Sequence, residues 1–146
     1  MNKAQNLLEA LDDLTWENYV DIADEVTHFN KHAIDDELAR QASVYSYYQG
    51  LLSIAKKKLD EANLDLTKYT AQTRKDKKMS TEAKQTAKDL DDFVESSSEF
   101  IAYSKKVNDA YFKYTLLKGL VSSLEHKKDM FVQLSSNRRA ETNLYR

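Results

Sequence analysis

Residues 38–69 read LARQASVYSYYQGLLSIAKKKLDEANLDLTKY, and their spacing decides the fold. Leu38, Tyr45, Leu52, Leu59 and Leu66 recur every seven residues, and Tyr48, Ala55, Ala62 and Tyr69 follow at the +3 position. A helix returns to one face every three to four residues, so this double row is a continuous apolar stripe with charges on the other faces. It predicts one amphipathic helix from about residue 35 to 75, on the order of 60 Å long at 1.5 Å per residue.

A helix of that length gains little from propensity alone and must bury its stripe on a neighbour. The neighbour is legible in Phe93, Phe100, Val107, Tyr114 and Val121, with Tyr103, Ala110, Leu117, Leu124 and Phe131 as the +3 row. These rows predict a second long helical region over 80–139, with Ser80 as its N-cap and Glu82 complementing the dipole of its first turn. Arg74–Ser80 is polar and short, which makes it the expected turn and the two helices antiparallel neighbours. Upstream, Leu7, Leu8, Leu11 and Leu14 give a short stripe, and Thr15 is placed to cap a helix carrying Trp16, Tyr19, Val20, Ala23 and Val26. The expected fold is all-α: a long antiparallel helical hairpin with short acidic N-terminal helices in 1–33, forming one domain over 1–146.

Composition agrees with helices and removes several kinds of chemistry. The 146 residues contain no proline, no cysteine and two glycines, Gly50 and Gly119. A β-rich fold would need turn residues every ten or so positions, and a dinucleotide or P-loop site would need a glycine-rich phosphate loop. Without cysteine there is no disulfide, thiol nucleophile or zinc-thiolate site, and a reducing cytoplasmic compartment is the expected location. The opening residues lack the apolar core of a secretory leader, and no run approaches the ~20 apolar residues of a membrane span. His28 and His32 share a helix face at i, i+4, with Glu25 or Asp36 as a conceivable third ligand. The intervening Phe29-Asn30-Lys31 lacks the glutamate of a metalloprotease helix, and exposed acidic helices often contain such pairs. Asp89, Asp91 and Asp92 lie in a solvated run with no nucleophile or apolar pocket beside them. No catalytic residue, metal or cofactor is expected, and the chain is read as a non-enzyme.

Net charge is −2, but residues 1–37 carry ten acids against two lysines, a net of −8, and the remainder carries +6. Basic residues gather in Lys56–Lys58, in Lys68, Arg74, Lys75, Lys77 and Lys78, and in Lys84 and Lys88; Lys127, Lys128, Arg138, Arg139 and Arg146 follow near the C-terminus. Lysine runs commonly do no more than solubilise a helix. If the turn falls at 74–80, however, Lys68, Arg74, Lys75, Lys77, Lys78 and Lys84 converge on one tip that can neutralise phosphates, with Tyr69 among them to stack on a base. The second helix also has more apolar positions than one partner covers. Leu116, Leu117, Leu120, Val121, Leu124, Phe131 and Leu134 are therefore expected to join subunits of a homo-oligomer.

This layout resembles the UvsY-type recombination mediators of tailed phages. The resemblance covers roughly 38–142 and rests on Val44-Tyr45-Ser46-Tyr47-Tyr48, the basic turn, Leu117-Lys118-Gly119-Leu120, His126-Lys127-Lys128-Asp129-Met130 and Arg138-Arg139-Ala140-Glu141. It implies a non-enzymatic protein that binds single-stranded DNA, assembles into a ring, and loads a RecA-like recombinase onto strands coated by single-strand-binding protein. Carried onto this chain, the DNA-contacting segment falls on Lys68, Arg74, Lys75, Lys77 and Lys78, and the helix from about Leu116 to Arg139 becomes the oligomerisation element. The family's tyrosine pair and glycine lie beside that basic segment, whereas Tyr47-Tyr48-Gln49-Gly50 here lies about twenty residues earlier. Two other readings compete: a helical phage adaptor, chaperone or host-protein inhibitor working through the acidic N-terminal segment, and a virion structural subunit.

Overall fold

A computed structural model describes residues 3–30, 33–81 and 85–144, with side chains from 6 to 140. The described residues are all-α, with no strand among them. Helices α1 (Lys3–Asp12) and α2 (Trp16–Thr27) precede α3 (Ile34–Ser80), followed by α4 (Ala87–Glu95) and α5 (Ser98–Leu144).

Local chemistry explains each start. The Thr15 hydroxyl accepts from the Asn18 amide at 3.3 Å while the Asn18 side chain accepts from the Thr15 amide at 2.8 Å, a reciprocal cap for α2. Thr86 and Asp89 repeat the device on α4. At the start of α5 the Ser97 hydroxyl accepts from the Phe100 amide at 3.2 Å and donates to the Val94 carbonyl at 2.6 Å.

Three sequence expectations are corrected here. Arg74–Ser80 is not the turn, because α3 continues through it and the connection lies in 81–86. Lys77 and Lys78 stabilise that last turn by complementing the helix dipole, which offsets the polarity that read as a loop. Ser80 accordingly ends α3 rather than capping the next helix, and Thr86 is the cap; Glu82 lies outside the described residues. The second long helix is interrupted at Ser96-Ser97, where serine hydroxyls compete for backbone groups.

Capping makes a pH prediction. Hydrogen bonds from its own backbone amide and then from Thr15 hold the Glu17 carboxyl below its ordinary value of 4.5. A lowered carboxyl stabilises above the unfolded pKa and loses that contribution as pH falls through the folded one. Acidification is therefore expected to loosen the start of α2, read as a change in Trp16 emission with a midpoint below 4.5 that Glu17→Gln removes. A midpoint above that value would contradict the cap.

The chain forms two compact units, Met1–Ile54 with Thr115–Arg146, and Ala55–Tyr114. Each contains part of α3 and part of α5. In the first unit, α1, α2 and the start of α3 pack against the end of α5. Leu11, Leu14, Ile34, Leu51, Leu116, Leu117, Leu120, Val121, Leu124 and Phe131 are all buried, several at 0–1% exposure. Phe29 meets Phe131 edge-on at 5.2 Å between ring centroids, and the buried Gln41 donates to the Leu124 carbonyl at 2.9 Å. Tyr19 brings its hydroxyl to 3.4 Å from where a Cβ on Gly119 would stand, which sets α2 against the α5 backbone.

That core corrects the expected subunit interface. Leu116, Leu117, Leu120, Val121, Leu124 and Phe131 are covered by their own chain, and Leu134 is half-buried. The surplus apolar surface of α5 meets the leucines of α1 and the loop to α2, which the sequence had shown without a destination. The heptad row is corrected as well: Leu38 is 36% exposed, and Leu51 is buried in place of Leu52. A straight helix drifts about 20° per heptad, and the N-terminal helices cover the side that carries Tyr48 and Leu51. Leu38, Ala42 and Tyr45 instead line an open groove of about 610 Å³ with Glu125, Lys128 and Asp129.

The second unit is thinner. Among its described residues Ala55, Leu59, Leu90 and Val94 are the buried apolar ones, and Tyr69, Phe100, Tyr103, Val107 and Tyr114 are half-buried. Its register is antiparallel, with Lys56 beside Tyr114, Tyr69 beside Tyr103 and Arg74 beside Asp91.

Candidate nucleic-acid interface

The basic end of α3 divides its cations by helix face. Lys77 turns to Phe93 and Tyr69 to Tyr103 and Ser97, while Arg74 and Lys78 border a cleft with Gln85, Ala87, Leu90 and Asp91. Lys68, Lys75 and Lys78 are exposed, and among the described residues no carboxylate pairs with them. Lys68 and Lys75 are seven residues apart, which places them on one face about 10 Å from each other.

The other expected contacts are engaged within the chain. Arg74 forms an ion pair with Asp91, and the Lys77 ammonium lies 4.4 Å above the Phe93 ring centroid. Tyr69 is half-buried, with its ring 5.2 Å from that of Tyr103 and its hydroxyl bonded to Ser97 at 2.9 Å. Its place among the cations as a stacking platform is therefore shared with a packing role against Tyr103. Lys84 lies outside the described residues. The convergence of cations from two helices is also narrower than expected, because α4 contributes Lys88 together with Asp89, Asp91 and Asp92. The cationic surface belongs to α3.

The remaining basic groups have local roles. Lys56 reaches Asp60 at 2.6 Å and Lys57 reaches Glu61 at 3.6 Å, both exposed i, i+4 pairs of the kind that contribute little to stability. Asp60 also holds the Lys56 ammonium above its ordinary pKa. Lys127, which the sequence groups with surface cations, is 8% exposed and donates to the Val26 carbonyl at 3.0 Å, the His28 carbonyl at 2.7 Å and the Glu37 carboxylate at 3.1 Å. It caps the C-terminus of α2, where carbonyls lack intrahelical partners and the dipole favours a cation. The sequence carried one usable signal: Lys127 falls between Leu124 and Phe131 on the apolar stripe of α5.

Among the described residues no group of three or more histidine, aspartate or glutamate side chains could hold a metal; His32, one of the spaced pair, lies outside them. No described helix is long and apolar enough to cross a membrane. Comparison with known proteins adds no relative: no family model, curated protein or solved structure matches this chain.

Proposed function

We propose that this chain is a non-enzymatic single-stranded-DNA-binding protein that holds the strand on the exposed lysines at the end of α3. As the resemblance implies, it would act as a recombination mediator that helps load a RecA-like recombinase onto strands coated by single-strand-binding protein. One observation carries the reading: Lys68, Lys75 and Lys78 are exposed and have no carboxylate partner among the described residues, while neighbouring Arg74 and Lys77 are tied down. Ammonium groups left to water are the ones that release counterions when they meet phosphates. Each site is weak, so useful affinity needs several copies of the chain on one strand.

Anisotropy titration of a labelled oligothymidylate tests this. Affinity should fall steeply between 50 and 200 mM salt, values taken as a rough range over which phosphate contacts weaken. Affinity that is absent or indifferent to salt removes the reading.

A second reading, a protein-binding adaptor working through the acidic N-terminal segment, draws support from Trp16 and Val20, which are 56% and 49% exposed on acidic α2. It cannot be tested by deleting residues 1–33, because Leu11 and Leu14 belong to the core. Surface substitutions on α2 are the usable probe.

A further inference from the structure

We infer that the chain associates with a second copy of itself head to tail, the acidic aromatic face of α2 docking on the cationic end of α3. The inference goes beyond strand binding and needs no strand.

The two surfaces are complementary in charge and in apolar content. On α2, Trp16 and Val20 stand one turn apart and are 56% and 49% exposed beside exposed Glu17, Asp21 and Asp24; the Trp16 ring stacks on Tyr19 at 5.8 Å, so its other face is the one offered to a partner. Of the apolar residues of α2, Tyr19, Ile22, Ala23 and Val26 are half-buried, and these two are exposed. On α3, Lys75, Lys78 and Met79 share a face at i, i+3, i+4, and Met79 is 77% exposed, the most exposed of the large apolar residues in the core-to-surface range described. A thioether suits an indole, and ammonium groups suit both the indole face and the flanking carboxylates. The pairing also agrees with the sign of the larger pattern, −8 over residues 1–37 and +6 beyond them.

Such an interface is heterologous: each copy offers one acidic and one basic surface, so association continues until it closes on itself. It relocates self-association away from Leu116, Leu117, Leu120, Val121, Leu124 and Phe131, which the first unit buries. A bound strand would compete for Lys75 and Lys78.

The test uses the full chain without DNA. In low salt, sedimentation velocity should show mass rising with concentration, and the emission of Trp16, the single tryptophan, should shift to the blue as the indole is covered. Both changes should reverse in high salt. Two variants then define the contact: Trp16→Ala with Asp21→Asn and Asp24→Asn removes the acidic face, and Lys75→Ala with Lys78→Ala removes the basic end. Each alone should stay monomeric, with helical circular dichroism as the control for folding. Mixed in equal amounts they should form a one-to-one dimer that grows no further, in which the tryptophan of the lysine variant shifts. A wild-type chain that is monomeric in low salt overturns the inference, as does a mixture that stays monomeric or association that persists in high salt with unchanged emission. The wild-type series stands even if a variant fails to fold, and because no nucleic acid is present a negative result leaves the strand reading intact.

Discussion

Replacing Lys127 with methionine is expected to destabilise the chain by about 3 kcal/mol, roughly the lower end for breaking a buried ion pair by removing one partner. The lower end applies because Glu37 retains 24% exposure and can recover some water, whereas the Lys127 side chain is 9% exposed. Methionine keeps an unbranched apolar stem, so the loss isolates the ammonium, its place over the Phe131 ring and its bonds to the Val26 and His28 carbonyls. In a chain of this size the change corresponds to a fall in melting temperature of roughly 6–12 °C, measurable by circular dichroism. Glu37→Gln should cost less, because both carbonyl bonds survive it. If Lys127→Met leaves the melting temperature within a degree or two of wild type, by the roughly 2–4 °C per kcal/mol expected here, the cap on α2 is not stabilising.

The second large effect is at Leu124. This side chain is 0% exposed, and Leu124→Asp places an ionisable group among Gln41, α2 and the leucines of α5 with no partner to neutralise it. The expected result is loss of the first unit's fold, seen as reduced helical signal and loss of cooperative melting, at a cost above roughly 4 kcal/mol, which is exceptional for a single substitution. Were Leu124 at a subunit interface, as its place on the surplus stripe suggests, the same variant would instead give a folded chain of smaller assembled mass. Full helicity with reduced mass would restore Leu124 to a subunit interface and contradict the core.

These two residues also mark what the sequence could and could not reveal. The all-α class followed from the heptad rows and the lack of proline, and Thr15 was readable as a cap because its chemistry is local. The surplus stripe of Leu117, Leu120 and Leu124 was equally visible, but periodicity says that a face must be covered and not by what. Its cover comes from residues about a hundred positions upstream, so an intramolecular core and an intermolecular one leave the same mark in sequence. Lys127 fails for a related reason: its role depends on carbonyl groups at the end of α2, and carbonyls have no signature in side-chain letters. The turn was misplaced because polar, lysine-rich residues suit a loop and a helix C-terminus equally well, and the Ser96-Ser97-Ser98 break went unread inside a strong heptad pattern.

The candidate site was legible as composition and not as geometry. Seven positions were expected to act together; three are exposed on α3, three are engaged by Asp91, Phe93 and Tyr103, and Lys84 lies outside the described residues. A helix sorts adjacent residues onto different faces, so a cluster in sequence is always divided by the 100° step between neighbours.

The most direct measurement compares the salt dependence of oligothymidylate binding for the wild-type chain and for Lys68→Ala with Lys75→Ala and Lys78→Ala. Each phosphate contact to a single strand contributes about 0.7 to the slope of log affinity against log salt, so losing three lysines should reduce its magnitude by about 2 with helicity unchanged. An unchanged slope and affinity in the triple variant would show that the strand, if it is bound at all, is held somewhere other than the end of α3.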